Sequence, residues 1–128
     1  MTSHTVLIVD DSVDLLDMYA AGLSQAGYRP LTATSAEAAV RTLTIDSPRA
    51  VVTDLQLGGV EGWTLIRKLK ANPLTRSIPI VVLTGSCDPS VAILGREVGC
   101  AAVLIKPCRP DELAAVLRRL LPADTAAA

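Results

Sequence analysis

Five side chains suited to metal and phosphate chemistry stand at the ends of four short apolar runs. VLIV at 6–9 leads into Asp10 and Asp11, and AVVT at 50–53 leads into Asp54. IVVL at 80–83 leads into Thr84, and AAVLI at 101–105 into Lys106 and Pro107. Each run is aliphatic or β-branched, short, and followed by turn or helix-start residues, which is the pattern of a strand buried on both faces. In an open parallel sheet, ligands bind beyond the carboxyl ends of the strands. Three carboxylates, one hydroxyl and one ammonium would then meet in a single crevice. Carboxylates collect a hard divalent cation such as Mg²⁺, while a lysine and a hydroxyl suit phosphate oxygens. The set points to phosphoryl chemistry.

Segments with helical spacing separate the strands. The first carries Val13, Leu16, Met18, Ala20 and Leu23 and ends at Ala26-Gly27, with Gly27 as the residue after the cap. A weak strand over Arg29–Ala33 follows. Thr34 then fits an N-cap and Glu37 the third helical position of a capping box, ahead of a helix over 38–43 that Pro48 closes. A third helix is predicted over 61–71, stopped by Asn72-Pro73. Asp88 and Pro89 supply a cap and an N1 proline for a fourth helix ending at Gly99. Gly95 inside it costs roughly 1 kcal/mol relative to Ala, which predicts the least stable helix of the set. Pro110-Asp111-Glu112 opens the last helix, where Leu113, Val116, Leu117 and Leu120 form one apolar stripe before Pro122. Five alternating strand–helix units predict an α/β fold: a doubly wound, five-stranded parallel sheet with right-handed crossovers and helices on both faces. One domain over 1–122 is expected, with 123–128 a loose tail or linker stub.

Composition narrows the class. A chain of 128 residues can bury about two-thirds of its extended surface without staples. Half the residues are hydrophobic but only 2% are aromatic, so the core must be built from Val, Leu, Ile and Ala. The net charge of −1 is spread without a basic stripe, so direct nucleic-acid binding is not expected. No apolar run approaches the ~18 residues of a membrane span and no signal peptide opens the chain, which predicts a cytoplasmic protein with no membrane contact. Cys87, Cys100 and Cys108 lack the paired spacing of a zinc site and read as reduced thiols. Cys87 and Cys108 are expected beside the mouth of the crevice, where a redox link between them is the less favoured reading. His4 is given no role. Trp63 reads as packing near the crevice rather than as a binding residue.

With these residues placed, the chain resembles the receiver domains of response regulators in two-component signalling, the family of the chemotaxis receivers. The likeness runs from about 5 to 121. It is carried by Asp10-Asp11, Asp54, Thr84 and Lys106-Pro107, with Gly59, Gly62, Gly85 and Gly99 in support. The resemblance implies the flavodoxin-like strand order 2-1-3-4-5. It also implies that Asp54 accepts a phosphoryl group from a histidine kinase or histidine phosphotransfer protein. Asp10, Asp11, Asp54 and the Gln56 backbone carbonyl would hold Mg²⁺, with Mn²⁺ as a substitute. Lys106 and Thr84 would contact the phosphoryl oxygens, helped by backbone amides at Leu55 and Gly85, and the Lys106-Pro107 bond would be cis. Such a protein is a signalling phosphoacceptor that catalyses only its own phosphorylation and dephosphorylation. A downstream effector or a second copy would dock through the fourth helix, fifth strand and fifth helix.

Two positions depart from the family. Receivers usually carry Tyr or Phe three residues before the lysine, where this chain has Val103; a valine cannot swing a ring between exposed and buried positions. Leu57-Gly58-Gly59 replaces a segment that often holds proline and predicts a more flexible loop. Three other readings fit these residues less well. A receiver-like binding module without phosphorylation conflicts with the complete set of five side chains. An aspartyl phosphohydrolase would need a second acid where Gln56 stands. A dinucleotide site is excluded, because no G-x-G-x-x-G follows the first strand.

Overall fold

The computed structural model describes residues 4–57 and 60–121. Its main sheet has five parallel strands, β1 (Thr5–Val9), β2 (Arg29–Ala33), β3 (Ala50–Asp54), β6 (Ile80–Thr84) and β7 (Ala102–Ile105), in the order β2-β1-β3-β6-β7. Counting only these five, the order is the 2-1-3-4-5 that the resemblance implies. A two-residue hairpin, β4 (Gln56–Leu57) against β5 (Val60–Glu61), follows β3. The helices are α1 (Val13–Gln25), α2 (Ala36–Ile45), α3 (Gly62–Ala71), α4 (Pro89–Val98) and α5 (Pro110–Leu120).

Strand periodicity divides the core into two layers. Val6, Ile8, Val52, Val81 and Leu83 point toward α1 and α5, where Leu16, Tyr19, Leu23, Leu113 and Leu117 meet them. Leu7, Val9, Val51, Ile80 and Val82 point the other way, onto Ala39, Leu65, Ile66 and Leu69 of α2 and α3. Each fully buried Leu contributes roughly 1.5–3 kcal/mol relative to exposure, and the central strands are apolar on both faces, as a covered parallel sheet requires. Register in such a sheet is fixed, because a one-residue slip would exchange the two layers.

Helix ends mostly follow the sequence signals. Asp88 caps α4, its carboxylate accepting from the Ser90 N–H, and Gly99 closes it with φ 93°. Gly27, after α1, has φ 97°. Two expectations are corrected. The cap of α2 is Ser35 rather than Thr34: Ser35 is extended and its hydroxyl accepts from the Ala38 N–H at 3.1 Å. The buried stripe of α1 is Leu16, Tyr19 and Leu23, while Val13 and Met18 face solvent. Tyr19 belongs in the core because its ring fills the α1–α5 layer and its hydroxyl finds the Cys108 carbonyl at 2.7 Å.

Gly22 lets α1 pack tightly against the start of α5, since a Cβ there would run into the ring of Pro110. We expect Gly22→Ala to destabilise the fold by roughly 1–3 kcal/mol despite the better helix propensity of alanine. Urea midpoints decide this, and a gain in stability would show that the two helices part freely. Among the described residues no helix is long and apolar enough to cross a membrane. Gly58, Gly59, Pro122 and the tail 123–128 lie outside the described residues.

Candidate functional site

The four strand ends named by the sequence meet at one edge of the sheet. Asp10 follows β1, Asp54 ends β3, Thr84 ends β6 and Lys106 follows β7. Parallel pairing sets Asp54 level with Leu83 and Thr84 level with Ile105, and the Lys106 N–H donates to the Thr84 carbonyl at 2.7 Å. The Lys106-Pro107 bond is cis. Tyr19 also steadies this edge, because its bond to Cys108 ties α1 to the loop that carries Lys106.

Asp10 is 2% exposed and Asp54 6%, while Asp11 is open to solvent. Carboxylate oxygens of the three lie within 4.8 Å of one another. Lys106 Nζ answers two of them, donating to Asp54 Oδ2 at 3.0 Å and to Asp10 Oδ2 at 3.3 Å. The remaining oxygens accept from backbone: Asp10 Oδ1 from the Ser12 N–H at 2.9 Å and Asp54 Oδ1 from the Gln56 N–H at 3.2 Å. Burial alone would lower the pKa of Lys106. The hydrogen bond to Asp54 and the charges of Asp54 and Asp10 outweigh it, so the pKa is raised and the ammonium is held charged. Thr84 is buried, and its Oγ1 accepts from the Ser86 N–H at 3.0 Å, which leaves the hydroxyl proton to donate.

The Leu55 N–H donates to the Leu83 carbonyl at 3.2 Å, and the Gln56 N–H donates to the Asp54 carboxylate. Gly85 is exposed beside Thr84. Trp63 is half-buried and borders a cavity shared with Leu55, Thr84 and Gly85. Val103 packs into the layer of α2 and α3. The hairpin β4–β5 went unread in the sequence, although a Gly-Gly pair between apolar flanks is a hairpin signal.

The thiols separate. Cys87 is exposed, but Cys108 is buried among Leu16, Tyr19 and Leu113 rather than standing at the mouth, with its Sγ turned to the Arg109 carbonyl. Burial, with help from Glu112 and Asp111, raises the Cys108 pKa, and burial pushes Cys100 up to about 11 against the pull of Lys70. Thiolate is the reactive form. Native protein at pH 8 should therefore take up a thiol reagent quickly at Cys87 alone, with Cys100 and Cys108 reacting only in denaturant. Rapid native labelling of either, read by peptide mass, would contradict this.

An acidic trio with one shared lysine, set at the carboxyl edge of a five-stranded flavodoxin-like sheet, defines the receiver class of α/β protein. Residues 6–118 match the family described as the response regulator receiver domain. The phosphate regulon transcriptional regulatory protein PhoB of Pseudomonas aeruginosa is 38% identical over 99% of this chain and 57% of its own length. The chain thus spans about half the length of the curated relatives it matches. Among solved structures, the chemotaxis response regulator CheY4 of Vibrio cholerae superposes with a TM-score of 0.87 at 28% identity, over 94% of this chain and 100% of that one. The signal receiver domain of a histidine kinase from Syntrophus aciditrophicus gives 0.85 at 30% identity, over 96% and 93%. The chain belongs to the response regulator receiver family, the signalling domains of two-component phosphorelays.

Proposed function

We propose that this chain is a phosphoacceptor whose Asp54 takes a phosphoryl group from a phosphohistidine of a kinase or phosphotransfer protein. The observation that carries the reading is the Lys106 ammonium held 3.0 Å from the Asp54 carboxylate beside two further carboxylates. An Asp54 oxygen attacks phosphorus, the P–N bond to the donor imidazole breaks, and the imidazole leaves with the electron pair. Lys106 moves from the carboxylates to the new phosphoryl oxygens, the Thr84 hydroxyl donates to one of them, and the Gln56 N–H is placed to donate to another. Phosphoryl transfer asks mainly for positioning and charge neutralisation, and these groups supply both.

Three hard oxygen donors in one cluster fit a small divalent cation such as Mg²⁺ or Mn²⁺. Asp10, Asp11 and Asp54, with the Gln56 carbonyl, would hold it, and it would supply the positive charge that lets an anionic phosphoryl group approach a carboxylate. Asp11 has no ion pair among the described residues, so its charge opposes Asp10 and Asp54 uncompensated. Asp11→Asn should therefore raise the melting temperature of the metal-free protein while weakening Mg²⁺ binding. An unchanged Mg²⁺ titration of Trp63 fluorescence in that variant would count against Asp11 as a ligand.

Signalling partners follow from the family: a histidine kinase or phosphotransfer protein as donor, and an effector or second copy at the face of α4, β7 and α5. Formation of a beryllofluoride adduct tests the acceptor site as a unit, because the adduct mimics the aspartyl phosphate and needs both the carboxylates and the cation. We expect one adduct per chain, seen by ¹⁹F NMR and lost in Asp54→Asn. No adduct at saturating Mg²⁺ would make this a receiver-like binding module instead.

A further inference from the structure

A cavity of about 620 Å³ opens beside the site, between the start of α3 and the start of α4. Leu55, Trp63, Thr84, Gly85 and Val91 help to line it, and Trp63 brings the largest side chain. The indole does not end there. Its Cη2 lies 3.6 Å from where a Cβ on Gly95 would stand, so one ring touches both the cavity beside Thr84 and the middle of α4.

Helix α4 is held lightly. Gly95 is its only buried residue, Val91, Leu94 and Val98 are half-buried, and Ile93 faces solvent. The missing Cβ lets β7 come close, since it would stand 2.6 Å from Val103 Cγ2. An element with so little buried apolar surface shifts at low free-energy cost. The cavity is open to solvent, and free space against a large, partly buried ring offers that ring a second position.

We propose that Trp63 couples Thr84 to α4. The proposal rests on the reading of Asp54 as the acceptor. When the Thr84 hydroxyl turns to a phosphoryl oxygen, the segment 84–86 advances toward Asp54 and changes its contact with the cavity. The indole settles into the space released, and α4 follows by tilting about Gly95. Val103 offers too little change in burial to bias the two positions, whereas an indole that exchanges a half-exposed for a buried place supplies the differential interaction a switch needs.

The sole tryptophan makes the test direct. In protein labelled with 5-fluorotryptophan, beryllofluoride with Mg²⁺ should move the single Trp63 resonance, and amide shifts should spread along Pro89–Val98. In Trp63→Leu the adduct should still form and the amides of 84–88 should still move. The α4 shifts should fall to about a third or less of the wild-type values. Undiminished α4 shifts in Trp63→Leu overturn the coupling and leave the acceptor reading intact. An unmoved fluorine resonance in adduct-bearing wild type overturns it even if the variant does not fold. Failure of wild type to form the adduct removes the acceptor reading and this coupling together.

Discussion

Lys106→Met should be the most destabilising single change at the site. One ammonium serves two buried carboxylates, at 3.0 Å from Asp54 and 3.3 Å from Asp10. Methionine keeps the stem and removes the charge, leaving both acids desolvated and facing each other. Breaking a buried pair from one side costs about 3–5 kcal/mol, and partial exposure of the lysine should bring the loss to about 2–4. Adding Asp54→Asn to that variant should recover much of the loss, because it removes one of the stranded charges. Mg²⁺ should raise the melting temperature of Lys106→Met by more than that of wild type. The sign with pH is also fixed. A base whose pKa is raised on folding stabilises fully below its unfolded value and loses that contribution only as pH rises through the folded value, so the pair is intact at neutral pH. A denaturation midpoint equal to wild type would mean that Lys106 does not hold the site together.

Asp54→Asn should have the largest effect on function. The amide is close in size and still fits between Lys106 and the Gln56 N–H, so the fold should survive and gain from reduced repulsion. An amide is a poor nucleophile, however, and phosphoryl uptake from acetyl phosphate with Mg²⁺ should fall by roughly a thousandfold or more. Chelation of the cation should suppress uptake in wild type to a similar degree. Intact mass over time reads both, and continued uptake in folded Asp54→Asn would assign the acceptor elsewhere.

Most of the fold was legible because the central strands are short apolar runs buried on both faces, and each stops at a polar residue the site uses. Helix ends were legible where a residue has one plausible job, as with Asp88-Pro89, Gly27 and Gly99. Each miss has a physical cause. Thr34 and Ser35 are both good caps, and only the backbone conformation at Ser35 decides between them. Tyr19 is amphipathic, and its place in the core depends on a carbonyl 89 residues away at Cys108. The burial of Cys108 follows from the same long-range contact. The tight fit of Gly22 to Pro110 and of Gly95 to Val103 is equally non-local, since a helical glycine in sequence shows only its propensity cost. Asp10, Asp11, Asp54 and Lys106, read from the strand ends, lie together at one sheet edge; the second bond of Lys106, to Asp10, and the amide of Gln56 on Asp54 depend on loop geometry that no strand pattern shows.

Trapping the acyl phosphate tests the central claim most directly. Wild-type protein phosphorylated with acetyl phosphate and Mg²⁺ is reduced with borohydride, which converts an aspartyl phosphate to homoserine, and the peptides are sequenced by mass spectrometry. The account predicts homoserine at position 54 and at no other aspartate. Homoserine at position 10 or 11, or phosphate retained as a stable ester on a hydroxyl such as that of Thr84, would contradict it.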